Sequence, residues 1–324
     1  MIDQILAPVI SLGGMGLAFG ALLAYASKKF AVEVDERIPA VIDVLPGANC
    51  GGCGYPGCSG LAAAIVEGKA PVNACPVGGS ACAAAIAGIM GVTTEETERM
   101  VARVLCYGTK DNAREKYEYY GISDCTAAAK LGGGSKSCAY GCTGLGTCVK
   151  VCKFGAIKIE NGIAVIDPEK CTACGQCVGA CPKKIIELIP ASQSTWVKCK
   201  SRDKGGDVKN YCSVGCIGCK ICEKACKFDA VHVIDNVAVI DYEKCVNCSQ
   251  CVIKCPKKII QGKLETKKAR INEKLCVGCT ICKKQCKFEA IEGDLKIKHK
   301  VIEDNCVGCE QCVLKCPKNC IEMV

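Results

Sequence analysis

The feature that most constrains this chain is a cysteine rhythm. "CTACGQCVGACP" (171–182) sets thiols three apart at Cys171, Cys174 and Cys177, then adds Cys181 directly before Pro182. Three thiolates at that spacing can surround one face of a compact cubic centre, while the fourth is turned away toward a neighbour. The rhythm returns in "CVNCSQCVIKCP" (245–256) and "CVGCEQCVLKCP" (306–317). Each run follows a mate ending in "CKFGAIKI" (152–159), "CKFDAVHV" (226–233) or "CKFEAIEG" (286–293). Repeats on this scale decide architecture before any single residue does.

The chemistry follows from the count as well as the spacing. With 34 Cys in 324 residues, disulfide staples are one reading, but the chain is not small and no cleavable secretory signal precedes it. Zinc ribbons want two CxxC pairs separated by a loop, whereas CxxCxxCxxxCP recurs here and selects iron–sulfur clusters. Such centres need reduced thiols, hence a cytosolic, low-oxygen setting. The formal charge of +9 counts those thiols as neutral. A four-iron cluster on four thiolates carries −2, so seven of them bring the loaded protein to about −5. The lysines then largely compensate the cofactors, and no aromatic-interleaved basic motif points to nucleic acid.

Crossed ligation within each pair, the bacterial ferredoxin arrangement, assigns the sites. In the middle pair Cys216, Cys219, Cys222 and Cys255 bind one cluster, and Cys245, Cys248, Cys251 and Cys226 the other. In the last pair the sets are Cys276, Cys279, Cys282 with Cys316, and Cys306, Cys309, Cys312 with Cys286. The first pair departs, because Leu145 stands where its opening run, "CAYGCTGLGTCVKVC" (138–152), should carry a middle Cys. Leucine cannot ligate iron, so either Cys138 reaches in or the site holds three irons. The favoured set is Cys138, Cys142, Cys148 and Cys181, with Cys171, Cys174, Cys177 and Cys152 for its mate. Between the mates lie β-rich stretches such as "IKIENGIAVID" (157–167), with Asn161–Gly162 as a hairpin turn. Short helices are expected after each Cys run. So small a unit has little apolar core and depends on its clusters.

Upstream, "ANCGGCGYPGC" (48–58) and a returning Cys75 form a separate set, Cys50, Cys53, Cys58 and Cys75, joined by a short Ala-rich helix over 59–67. Cys82 lies in an apolar helix and reads as a buried small hydrophobe. Residues 93–105 begin with a capping box, Thr93 to Glu96, and read as an amphipathic scaffold helix. Seven clusters thus use 28 cysteines. Cys106, Cys125, Cys199 and Cys212 are left as either an eighth centre or inert thiols, and Cys320 is unassigned.

At the start, residues 5–26 are uncharged and almost wholly apolar, long enough as a helix to cross a bilayer core, and Lys28 and Lys29 follow. Lysines on that side favour a retained single-pass anchor with everything after it in the cytoplasm. Gly13, Gly14, Gly16 and Gly20 suit close packing against another membrane helix. The fold class expected is therefore a single N-terminal transmembrane helix followed by small α+β iron–sulfur domains that repeat the bacterial two-cluster ferredoxin fold. Its boundaries are an anchor (1–29), a four-cysteine domain (30–92), a helical linker (93–137) and ferredoxin-like pairs at 138–190, 191–264 and 265–324. No credible dinucleotide or P-loop fingerprint occurs, since "GGMGLAFG" (13–20) lies inside the anchor, and His232 and His299 need no catalytic role. The chain should conduct electrons and carry out no substrate chemistry of its own.

The anchor, "CGGCGYPGC" with Cys75, and the ferredoxin repeats together resemble the B subunit of the Rnf complex, the ion-translocating ferredoxin:NAD⁺ oxidoreductase. The resemblance covers essentially the whole chain and points to the long form of anaerobic clostridia and acetogens. It implies an electron-input subunit of the cell membrane, with reduced ferredoxin as donor and the other complex subunits and the bilayer as partners. Cys50, Cys53, Cys58 and Cys75 would hold the cluster nearest the membrane partners. Flavin and NAD would belong to those partners and not to this chain. A polyferredoxin subunit of another membrane redox complex, a hydrogenase or dehydrogenase, is the alternative, and a cluster-stapled scaffold comes behind both. The lysines beside the Cys runs (Lys183, Lys184, Lys257, Lys258, Lys283, Lys284 and Lys287) are candidates for steering an acidic ferredoxin.

Overall fold

The computed structural model describes residues 2–30, 35–94, 98–264 and 267–324, with side chains described from residue 12 onward. Helix α1 (Ile2–Lys29) ends on Lys28 and Lys29 and leaves Leu12, Leu17, Phe19, Leu22 and Leu23 exposed. Among the described residues no helix is long and apolar enough to cross a membrane, and the side chains of 5–11, part of the expected anchor, lie outside them.

Three helices build the next domain: α2 (Arg37–Val44), α3 (Gly57–Val66) and α4 (Gly79–Met90). Small residues let them pack closely, and Val41, Leu61, Ala62, Ile65 and Ile86 fill the core. Cys82 is buried there, as the apolar helix around it implied, with its thiol toward the Val44 carbonyl.

The amphipathic helix expected over 93–105 does not form across its second half. Residues 95–97, including Glu96 of the capping box, lie outside the described residues, and Met100–Val104 is strand β1. It pairs antiparallel with a strand formed by Ile186–Pro190, Val101 facing Ile189 and Val104 facing Ile186. Sheet pairing wins because that distant segment would otherwise have an unsatisfied edge, and pairing buries Val101, Ala102, Ile186 and Ile189.

Every ferredoxin-like unit repeats this closure. In the first, β2 (Ile157–Glu160) and β3 (Ile163–Ile166) form the hairpin, and β4 (Ile186–Pro190) returns to β1. Its turn is Asn161–Gly162, both at positive φ, the sequence-predicted geometry. In the second, β5 (Trp196–Val197) pairs with β8 (Ile260–Gln261) around the hairpin of β6 (Val231–Ile234) and β7 (Val237–Ile240). In the third, β9 (Ala269–Ile271) pairs with β12 (Ile321–Met323) around β10 (Ile291–Glu292) and β11 (Lys300–Val301). The described strands thus make six two-stranded sheets.

The remaining helices are α5 (Cys125–Lys130), α6 (Thr147–Val151), α7 (Gln176–Ala180), α8 (Gly205–Tyr211), α9 (Ile221–Ala225), α10 (Gln250–Lys254), α11 (Ile281–Gln285) and α12 (Gln311–Leu314). Six of them (α6, α7 and α9–α12) lie inside the Cys runs, around the third cysteine of each, and not after the runs as expected. The fourth cysteine must leave the helix to reach the neighbouring centre, so the helix stops just before it.

Candidate iron–sulfur centres

Each run turns sharply before its helix. The residue preceding α6, α7, α9, α10, α11 and α12 is left-handed: Gly146, Gly175, Lys220, Ser249, Thr280 and Glu310. For the last four that conformation costs about 1–2 kcal/mol each, a strain that ligand wrapping must offset. The turn brings the first two cysteines of a run back toward the third.

The cysteines meet around recesses of similar size. Cys306, Cys309, Cys312 and Cys286 border one of about 370 Å³. Cys171, Cys174, Cys177 and Cys152 border another of about 330 Å³. Cys276, Cys279, Cys282 and Cys316 border a third of about 320 Å³, with Cys320 beside them and its Sγ 3.4 Å from that of Cys316. Each recess gathers three cysteines of one run and one from its mate. No group of three His, Cys, Asp or Glu side chains among the described residues could hold a single metal ion. A ring of thiols around a void fits a multi-iron core.

Backbone amides aim at the sulfurs. Ala102 donates to Cys171, Ala230 to Cys226, Ala269 to Cys306 and Ala290 to Cys286, at 3.3–3.4 Å. Such bonds stabilise thiolate charge and tune a cluster. Against them, burial pushes the thiols up, Cys177, Cys222 and Cys312 to about 11 and Cys251 to about 12, helped by neighbouring cysteines. Cluster binding must therefore displace their protons.

In the α2–α4 domain, Asn49 Oδ1 accepts the Cys58 N–H at 2.8 Å, tying the first loop to the start of α3. Gly78 N–H donates to Cys75 Sγ at 3.4 Å, and burial raises the Cys75 thiol, with Cys58 and Cys53 contributing. This domain abuts the first ferredoxin unit. A Cβ on Gly52 would lie 2.3 Å from the Cys174 carbonyl oxygen, and Lys153 Nζ donates to the Asn49 carbonyl.

At the irregular run the structure sets Cys138 beside cysteines outside its expected set. Ser137 N–H donates to the Arg114 carbonyl and Lys116 N–H to that of Ser135, which pins this stretch to the linker. Cys138 accordingly lines a recess with Cys106, Cys199 and Cys212. Cys125 stands instead beside Leu145 and Cys148. Its N–H donates to Thr147 Oγ1 at 2.7 Å, and Cys142, Cys125 and Cys181 follow burial among the causes that push Cys148 up to about 12. Nothing in the spacing of "SDCT" (123–126) signals this, because α5 is carried there by tertiary contacts.

His299 touches a ligand set, which its strand-like sequence context does not announce. It is wholly buried, its N–H donates to Cys276 Sγ at 3.5 Å, and its Nδ1 is 3.9 Å from the same sulfur. Of the candidate steering lysines, four are engaged. Lys183 donates to Gly133 and Ala139 carbonyls, Lys257 to that of Ser213, Lys283 to that of Gly293, and Lys287 to that of Lys227.

Family models match four stretches of the chain. Residues 45–77 match the family described as "Putative Fe-S cluster", 164–187 a 4Fe-4S binding domain, and 215–260 and 269–323 two 4Fe-4S dicluster domains. Among curated proteins, the B subunit of the Na(+)-translocating ferredoxin:NAD(+) oxidoreductase complex of Acetobacterium woodii is 51% identical over 266 residues, covering 82% of this chain and 80% of its own. The chain belongs to that B-subunit family. The B subunit of the proton-translocating ferredoxin:NAD(+) oxidoreductase complex of Clostridium ljungdahlii is 46% identical, with 76% of this chain and 90% of its own covered. The B subunit of the ion-translocating oxidoreductase complex of Methanosarcina acetivorans is 44% identical, with 77% and 95% covered. Membership makes this chain part of an oxidoreductase complex, one that carries several 4Fe-4S domains.

Proposed function

We propose that this chain is the electron-input subunit of a membrane-bound, ion-translocating ferredoxin:NAD⁺ oxidoreductase. It takes electrons from reduced ferredoxin and passes them through its clusters to membrane flavoprotein partners. When bound, each cluster supplies a one-electron centre with no open metal position. The observation that carries the reading is the succession of neighbouring cysteine sets along the fold. Cys309 lies near Cys248, Cys251 near Cys222, Cys148 near Cys177, and Cys174 near Cys50. Electrons entering at the last unit would leave at the α2–α4 domain, the part that follows α1.

Helix α1 supports membrane attachment through its exposed leucines and its closing lysines. At 1.5 Å per residue its 28 residues extend about 42 Å. The ferredoxin units would then stand on the cytoplasmic side.

The test is a stopped-flow measurement of cluster reduction by reduced ferredoxin in the anaerobically purified full chain. Charge reversal of Lys184, Lys258 and Lys284 should slow the second-order rate severalfold at low salt and much less at high salt. A parent protein that reduced ferredoxin does not reduce at all would overturn the reading.

A further inference from the structure

Cys138 and three cysteines outside every expected crossed set converge between the first and second ferredoxin units. Cys106 follows β1, Cys138 opens the irregular run, Cys199 follows β5 and Cys212 follows α8. Four separate stretches between residues 106 and 212 thus deliver one thiol each to a recess of about 410 Å³. That volume is close to those of the three recesses bordered by crossed sets.

The recess is built as those sets are built. Cys106 Sγ accepts the N–H of Cys142 and Cys199 Sγ the N–H of Cys216, both at 3.4 Å. The amide-to-sulfur bond found at Cys171, Cys226 and Cys286 recurs here. Lys136 is almost fully buried at the rim, with Nζ on the Gly108 and Gly162 carbonyls. A buried ammonium offsets part of the −2 that a four-iron core on four thiolates would bring. Gly108 and Gly215 leave the space beside the Cys106 and Cys212 sulfurs open, since a Cβ at either would approach them within 3.6 Å.

We infer that Cys106, Cys138, Cys199 and Cys212 hold an eighth [4Fe-4S] cluster, and that Cys125 takes the ligand place vacated by Leu145 in the first unit. Cys125 then joins Cys142, Cys148 and Cys181. The Asp124 side chain caps α5 through the N–H groups of Thr126 and Ala127 and accepts from Thr147 Oγ1, which fixes α5 against the run that lacks a ligand. The position has a consequence for conduction. The two sulfurs that accept amides take them from Cys142 and Cys216, ligands of the flanking units, so the centre joins unit one to unit two. One electron arrives from the second unit and one leaves to the first, each step a single cluster reduction and reoxidation.

The inference deepens the electron-conduit reading, yet metal counting tests it apart from any electron transfer. The full chain, purified anaerobically, should hold about 32 iron and about 32 acid-labile sulfide, against about 28 of each for seven clusters. Cys199→Ala and Cys212→Ser should each lose about four of both, and Cys125→Ala should lose one iron or a whole cluster, with a three-iron EPR signal in the first case. Cys82→Ala should keep the parental count. Should a variant fail to fold, the parental count and the number of reducing equivalents taken up in an EPR-monitored titration still decide. Seven equivalents with about 28 iron, zinc in the recess, or parental iron in the folded Cys199 and Cys212 variants would overturn the eighth centre.

Discussion

Lys227 donates its Nζ to the backbone carbonyl of Lys287 at 2.9 Å, and Lys287 returns the bond to the carbonyl of Lys227 at 3.0 Å. Each ammonium also lies over the other's neighbouring ring, Lys227 4.9 Å from Phe288 and Lys287 4.6 Å from Phe228. The repeated "CKF" thus makes a self-complementary joint between units two and three, with the logic of a two-fold interface inside one chain. Cys248 and Cys309, from the same two units, also come close.

Breaking that joint should uncouple the last unit. Each cation–π contact is worth about 0.5–1 kcal/mol at an exposed site. The double variant K227E/K287E should lose more than both contacts, because two carboxylates then face two carbonyls. Limited proteolysis between residues 262 and 268 should quicken severalfold, with iron content unchanged. An unaltered cleavage rate would mean the units are held elsewhere.

The Gly52–Cys174 contact makes an independent test at the other end. Gly52→Ala places a methyl 2.3 Å from the backbone carbonyl oxygen of Cys174. Overpacking of this kind costs about 1–3 kcal/mol and must push the α2–α4 domain off the first unit. Gly88→Ala, on α4 with nothing within 4 Å, is the matched control and should be neutral or slightly stabilising. Rapid-freeze EPR should show electrons accumulating in the units in Gly52→Ala and passing on in Gly88→Ala.

Buried thiols predict how the empty protein responds to pH. Cys177, Cys222, Cys251 and Cys312 have folded-state values of about 11 to about 12, above the unfolded value near 9. A raised thiol stabilises the empty fold fully below about pH 9 and loses that contribution as pH climbs toward 11–12. Cluster loading should release close to one proton per ligand thiol at pH 7.5, measurable with an indicator in weak buffer. Loading should also grow more favourable from pH 7 to pH 8.5.

His299 gives a prediction about potential. Its N–H and ring both approach Cys276 Sγ, so His299→Leu removes the ring dipole while leaving the backbone bond. The cluster of that set should become harder to reduce, by EPR-monitored titration, with iron per chain unchanged.

Removal of residues 1–28 should yield a cluster-loaded protein that stays in the supernatant when cells lacking the other subunits are fractionated. Retention on high-salt-washed membranes would place a second attachment elsewhere.

The sequence and the structure part company for identifiable reasons. Within a run, ligand spacing is local, so the sets bordering recesses at Cys171, Cys276 and Cys306 could be grouped from "CxxCxxC" and its mate. Met100–Val104 misled because its pattern suits a helix face, and only a partner 86 residues away, Ile186 to Pro190, makes it a strand. Cys125 and Cys138 exchanged their expected neighbours for the same reason. Their surroundings are set by α5 capping and by the 114–116 to 135–137 pairing, contacts that no spacing encodes.

The end-to-end strand pairs β1–β4, β5–β8 and β9–β12 return the chain to the edge where it entered each unit. A unit is thus a closed loop hung on the chain, its entry and exit a single ladder apart. Excising one such loop would leave ends already positioned for splicing, and duplicating one would add a step without rethreading the others. Conduit length in a protein built this way can change by whole cassettes, and with entry at the last unit, as proposed, the port would move outward with each one added.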